Sequence, residues 1–151
     1  MANLPIDSQT WNTVAAVPPM QMTKNFEGFR SLPYNDTRGI PTIGYGYNLQ
    51  ANPNLPRFMT QNYADTIFPQ FYGRALEQAK KFAGPVWGNL NPFQQAALTD
   101  MSYNLGGKLF NFKDMRKELQ TGNSAGVKRE MKNSKWYSQV GRRSKALIGG
   151  W

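Results

Sequence analysis

The sequence predicts an α+β fold: one short helix, a small antiparallel sheet, and then a larger, wholly helical part. Three observations lead there. Met22, Phe26 and Phe29 recur at helical spacing before Pro33 forbids continuation. Ile40, Thr42, Ile43, Tyr45 and Tyr47 then carry strand propensity, with Gly44 and Gly46 allowing close backbone approach. From residue 60 onward every apolar pattern has a helical period.

Taken in order, residues 1–19 read as an N-terminal arm ending in Pro18-Pro19, either docked through Trp11 and Val14 or partly disordered. Residues 20–59 form an α/β lobe and residues 60–151 a helical lobe, together one domain of 20–151. Thr23 reads as the N-cap of the first helix, and Gly28 puts Glu27 near its C-terminal end. Asn35 to Gly39 is a turn, since Asn and Asp tolerate left-handed backbone and Gly39 supplies positive φ. Thr60 caps a second helix, which Pro69 should kink or split near residue 68. Asn91 and Pro92 cap and start a third helix, stopped by Gly106-Gly107. Phe112 to Leu119 is a shorter helix carrying Met115 and Leu119, Ser124 caps another, and Trp136-Tyr137 opens a last segment reaching Ile148.

Composition narrows the chemistry. The chain has neither histidine nor cysteine, which excludes Ser-His and Cys-His nucleophilic catalysis and zinc sites built from those ligands. No metal or cofactor is expected. The formal charge is +9, from 18 Lys plus Arg against 9 Asp plus Glu, and it favours polyanionic partners: nucleic acid, anionic lipid, or an acidic wall polymer. RNP, KH and zinc-finger patterns are absent, so nucleic acid is not expected as a partner. No apolar run approaches the ~20 residues of a membrane span. The N-terminal stretch also lacks the basic and apolar regions of a secretory signal.

If the protein is an enzyme, carboxylates must move the protons. Glu27 and Asp36 stand nine positions apart across the turn, flanked by contrasting neighbours. Phe26 and Phe29 beside Glu27 favour a retained proton through desolvation, whereas Asn35, Thr37 and Arg38 give Asp36 a polar setting suited to an anion. Glycoside cleavage requires such a pair.

The pattern E-G-x₅-Y-x-D-x-x-G-x-x-T-I-G-Y-G, running from Glu27 to Gly46, resembles the signature of the phage-type lysozymes, small muramidases of α+β, lysozyme-like fold. The stretch Asn91–Gly106 is similar to that family's central helix. Ser134–Trp151 is similar to its C-terminal W-Y-x-Q segment, so the resemblance covers roughly residues 20 to 151. It implies that Glu27 is the general acid, Asp36 the second catalytic carboxylate, and Thr42 a holder of the attacking water. It further implies that Asn48, Tyr103, Asn104 and Met115 line a saccharide cleft between the lobes and that Arg143 approaches the catalytic Glu. Two departures stand out: Tyr47 replaces the usual His after G-x-G, and Met115 stands where many relatives carry a small hydroxyl residue. The acidic partner of that His is replaced by Phe71, which predicts an aromatic contact in place of an ion pair.

The expected activity is hydrolysis of the β-1,4 bond between N-acetylmuramic acid and N-acetylglucosamine in peptidoglycan, with inversion and Asp36 as general base. The expected setting is a monomeric endolysin in the host cytoplasm, released to the wall through a membrane pore and touching anionic membrane or wall polymer in passing. A virion-associated or injected lysozyme would share the domain. A chitinase-like specificity and an inactive, basic wall- or membrane-binding module on the same scaffold are the alternatives.

Overall fold

The computed structural model describes residues 18–151, so most of the arm read at 1–19 lies outside the described residues. Helix α1 (Pro19–Glu27) leads into an antiparallel sheet of β1 (Arg30–Asn35), β2 (Pro41–Gly44) and β3 (Tyr47–Asn48), in that spatial order. Helix α2 (Gln61–Ala83) leaves the sheet. It is followed by α3 (Pro92–Leu105), α4 (Lys113–Gln120), α5 (Ser124–Lys132), α6 (Lys135–Gln139) and α7 (Arg142–Gly149). Short 3₁₀ turns at Gly84–Asn89 and Gly106–Asn111 flank α3.

Two apolar cores result. The smaller joins Ile43, Tyr45, Tyr47, Leu49 and Met59 to Ala64, Phe68 and Tyr72 on the first half of α2. The larger gathers Phe82, Leu98, Met101, Leu109, Met115, Met131 and Leu147 from the helical part. Met22 of α1 packs into this larger core, so the helix bearing Glu27 is anchored on one lobe while its end meets the other. Full burial of such a side chain stabilises by about 1.5–3 kcal/mol.

The sheet sets one row of side chains on a common face. Thr42 pairs with Tyr34 of β1 and with Asn48 of β3, and directly opposed residues in an antiparallel pair project to the same side. Pro33 fits within β1 because this is an edge strand whose pairing is irregular between Arg30 and Tyr34. Tyr47 and Phe71 stack as expected, with ring centroids 4.3 Å apart and planes at 25°. The Tyr47 hydroxyl donates to the Ala64 carbonyl at 2.6 Å.

Caps decide several boundaries. Thr60 accepts from the Tyr63 N–H at 3.1 Å, and Asn91 forms a reciprocal capping box with Gln94. Three expectations need correction. Thr23 does not cap α1: Pro18 and Pro19 begin that helix, and Thr23 is fully buried inside it. Pro69 does not split α2, which is helical from end to end; Phe68 and Tyr72 are buried on either side and packing holds the helix through the missing hydrogen bond. Asn123, not Ser124, caps α5 by accepting from the Gly126 N–H at 3.0 Å. The last segment is two helices, divided at Gly141 with φ +52°.

Candidate active site

Glu27 is the final residue of α1, where Gly28 at φ +70° turns the chain toward β1. Its side chain is only 11% exposed, and Oε2 accepts a hydrogen bond from Nη1 of Arg143. Gly46, at φ +72°, lies against the other oxygen: a Cβ placed there would collide with Glu27 Oε1. The glycine after Tyr45 therefore makes room for the carboxyl group. Burial holds the Glu27 carboxyl above the ordinary carboxylate range. Arg143 opposes this with its charge and its hydrogen bond, and the charges of Asp100 and Asp36 reinforce the rise.

Arg143 comes from α7 and is itself buried, with a side chain 8% exposed. Its Nε donates to Asp100 Oδ2 at 2.7 Å and its Nη2 to Asp100 Oδ1 at 3.0 Å, a two-point grip of the kind guanidinium favours. Burial works against the Arg143 charge, but the two carboxylates outweigh it and hold that charge firmly in place. The Arg143 guanidinium also lies 5.7 Å from the Phe26 ring centroid.

Asp36 sits in the β1–β2 turn. Its Oδ1 accepts the backbone N–H groups of Arg38 at 2.8 Å and Ile40 at 2.9 Å, which fixes the carboxylate from one side. Oδ2 lies 3.4 Å from the Arg38 guanidinium, which also donates to the Asn104 carbonyl at 3.0 Å and so ties the turn to α3. The Thr42 hydroxyl donates to the Ile40 carbonyl at 2.7 Å, leaving its oxygen lone pairs able to accept from water.

These groups border one cavity of about 390 Å³, whose wall includes Glu27, Tyr34, Asp36, Thr42, Tyr103, Asn104 and Arg143. Burial, helped by the Glu27 charge, pushes the Tyr34 hydroxyl up to about 12, so it stays a neutral donor. A second recess of about 150 Å³ adjoins through Gly46 and Tyr103 and adds Asn48, Asn52, Phe71, Arg74 and Gln78. Tyr103 donates to the Tyr45 carbonyl, pinning α3 to the loop between β2 and β3, and Asn104 Oδ1 accepts from Trp136 Nε1 at 3.0 Å.

Glu27, Asp36, Thr42, Tyr103, Asn104 and Arg143 thus converge on one cavity, and Asn48 lies in its extension. Met115 does not. It is 1% exposed in the core of the helical lobe, and the i,i+4 pair it makes with Leu119 was already a packing signal. Asp100 and Thr23 were missed as partners of the site; a charged residue four positions from Ala96 and from Asn104, on the buried side of α3, was the available clue. Among the described residues, no group of three or more carboxylates converges in a way that could hold a metal ion.

A short helix ending in a buried Glu, a three-stranded sheet with an Asp turn, and a helical lobe closing the cleft are the architecture of a lysozyme-like protein. The chain belongs to the phage lysozyme family, whose model matches residues 24–149. It is similar to the pre-baseplate central spike protein Gp5 of Enterobacteria phage T4, with 28% identity over 152 aligned residues, covering 85% of this chain and 26% of that protein. It is also similar to the peptidoglycan hydrolase gp36 of Pseudomonas phage phiKMV, with 28% identity over 125 residues, covering 82% of this chain and 14% of that protein. The chain therefore spans about a quarter or less of the length of these relatives.

Proposed function

We propose that this protein is a muramidase that hydrolyses the β-1,4 bond between N-acetylmuramic acid and N-acetylglucosamine in peptidoglycan. The observation that carries this reading is the convergence of Glu27, Asp36 and Thr42 on one cavity, with Glu27 desolvated and Asp36 held by backbone N–H groups. Family membership and the relative named a peptidoglycan hydrolase support the substrate class.

Glu27, carrying its proton, gives it to the glycosidic oxygen as the bond from that oxygen to C1 breaks. Asp36 takes a proton from a water that Thr42 helps to hold, and the water oxygen bonds to C1 from the other face. The products are a new reducing end and a free 4-hydroxyl. Asp36 then returns its proton through solvent and Glu27 is recharged. Tyr103, Asn104 and Asn48 offer hydrogen-bonding groups along the groove, and the +9 charge draws the enzyme to a carboxylate-bearing wall.

In this reading the helical lobe supplies the rigid wall of the cleft and the sheet supplies the water-handling groups. Residues 20–59 and 60–151 are then the functional halves, and the protein acts as a monomer. The first reading of its setting is an endolysin held in the host cytoplasm until a pore opens. A virion-associated role is the second reading, favoured by the similarity to a protein named as a central spike.

Purified peptidoglycan tests the activity. Wild type should clear its turbidity and release fragments with muramic acid at the reducing end, read by mass spectrometry. Glu27→Gln should lose at least the ~10²–10⁴-fold attributed to general acid catalysis. Fragments ending in glucosamine, cleavage of chitin in preference to peptidoglycan, or full activity in Glu27→Gln would each defeat the proposal.

A further inference from the structure

Three charged side chains form one buried cluster at the inner wall of the cleft: Glu27, Arg143 and Asp100, with exposures of 11%, 8% and 0%. Asp100 lies in the middle of α3 and receives three donors, namely Nε and Nη2 of Arg143 and the Thr23 hydroxyl at 2.6 Å. Glu27 receives one of these cluster bonds, from Nη1 of Arg143.

We propose that Asp100 is a positioning residue for Glu27: it grips Arg143 on two nitrogens, aims the third at Glu27, and cancels the cation that would otherwise keep Glu27 ionised. The proposal rests on the reading of Glu27 as the proton donor. Its logic is charge balance in a low-dielectric site. Arg143 facing Glu27 alone would be neutral as a pair only with Glu27 ionised, which disarms an acid. With Asp100 already balancing Arg143, the cluster is neutral when Glu27 holds its proton, and ionising Glu27 leaves an uncompensated buried anion. All of Asp100's partners in this cluster donate to it, so the proton that neutralises the cluster has its place on Glu27. The other titratable or charged groups around Glu27 are Tyr34, Asp36, Arg30 and Arg38 from the sheet and its turn, and Tyr103 from α3. None of them reaches the two-point contact with Arg143 that Asp100 makes.

The test is a carbon-13 NMR titration of the Glu27 carboxyl, run beside the pH profile of kcat/KM on peptidoglycan. Asp100→Asn should lower the Glu27 midpoint by about one pH unit or more, the effect of an unbalanced Arg beside a carboxylate, and the alkaline limb of activity should move with it. Thr23→Val removes a hydrogen bond but no charge, so it should lower thermal stability while leaving the midpoint in place. An Asp100→Asn protein that is less stable but keeps the wild-type midpoint and limb makes Asp100 a purely structural residue and overturns the proposal. If Asp100→Asn does not fold, Arg143→Gln is compared with the double variant Asp100→Asn/Arg143→Gln. The Glu27 midpoint should be higher in the variant that keeps Asp100, and equal midpoints overturn the proposal. The titration needs no turnover, so loss of the muramidase reading, seen as full activity in Glu27→Gln, is distinguishable from loss of this one.

Discussion

The Glu27 carboxyl occupies the space a side chain on Gly46 would need: at φ +72°, a Cβ at that position would collide with Oε1. Two penalties therefore fall on Gly46→Ala. The left-handed backbone costs about 1–3 kcal/mol for a residue with a Cβ. The methyl group also pushes the carboxyl off its position, and a displacement of that order at a reacting group costs ~10²-fold in rate. Urea unfolding and turnover on peptidoglycan should show both losses. A Gly46→Ala enzyme with wild-type turnover would mean that the Glu27 carboxyl is not held where the cleft requires it.

The buried state of Glu27 sets a pH dependence of stability whose sign follows from its raised carboxyl. Below the ordinary value of 4.5, both folded and unfolded chains hold the proton and Glu27 contributes no difference. As pH rises from there through the higher folded value, the unfolded chain has released its proton while the folded chain retains it, so stability is lost with rising pH. Glu27→Gln cannot titrate. Its stability relative to wild type should therefore increase as pH rises above the ordinary value of 4.5, measured by urea unfolding at each pH. A difference that stays constant through that rise would contradict the desolvated carboxyl.

Tyr47 and Phe71 stand where relatives are expected to carry a histidine and an acid, and the two rings stack at 4.3 Å. Such a pair contributes about 0.5–1.5 kcal/mol beyond its buried area. A double-mutant cycle of Tyr47→Leu and Phe71→Leu should recover a coupling of that size by urea unfolding. Strict additivity would mean that the contact is geometrical only.

Much of this was legible in the chain because local rules and the motif agree. Gly28 ends α1 at Glu27, Gly39 closes the Asp36 turn, and Asn91-Pro92 starts α3, each through backbone chemistry confined to a few residues. What escaped the sequence was long-range. The Thr23 hydroxyl reads as a cap until Asp100, 77 positions away, is seen to accept from it. For Asp100 the one local clue was its helical spacing from Ala96 and Asn104; that α3 is buried on nearly all sides from Ala96 to Ser102 follows only from the packing of the other helices around it. Met115 was placed in the cleft by resemblance, although its own spacing from Leu119 marked it as core. Pro69 shows the same limit: its local preference for a break yields to aromatic packing on both sides.

The division of labour between Glu27 and Asp36 is tested most directly by the anomer first released from a β-linked substrate, followed by proton NMR. Asp36 acting as a base on water, with Thr42 sharing the hold on that water, predicts the α anomer. It also predicts that the two carboxyl groups work ~6.5–9.5 Å apart, the spacing of inverting enzymes. Initial release of the β anomer, or a sugar ester trapped on Asp36, would make Asp36 a nucleophile and contradict the account.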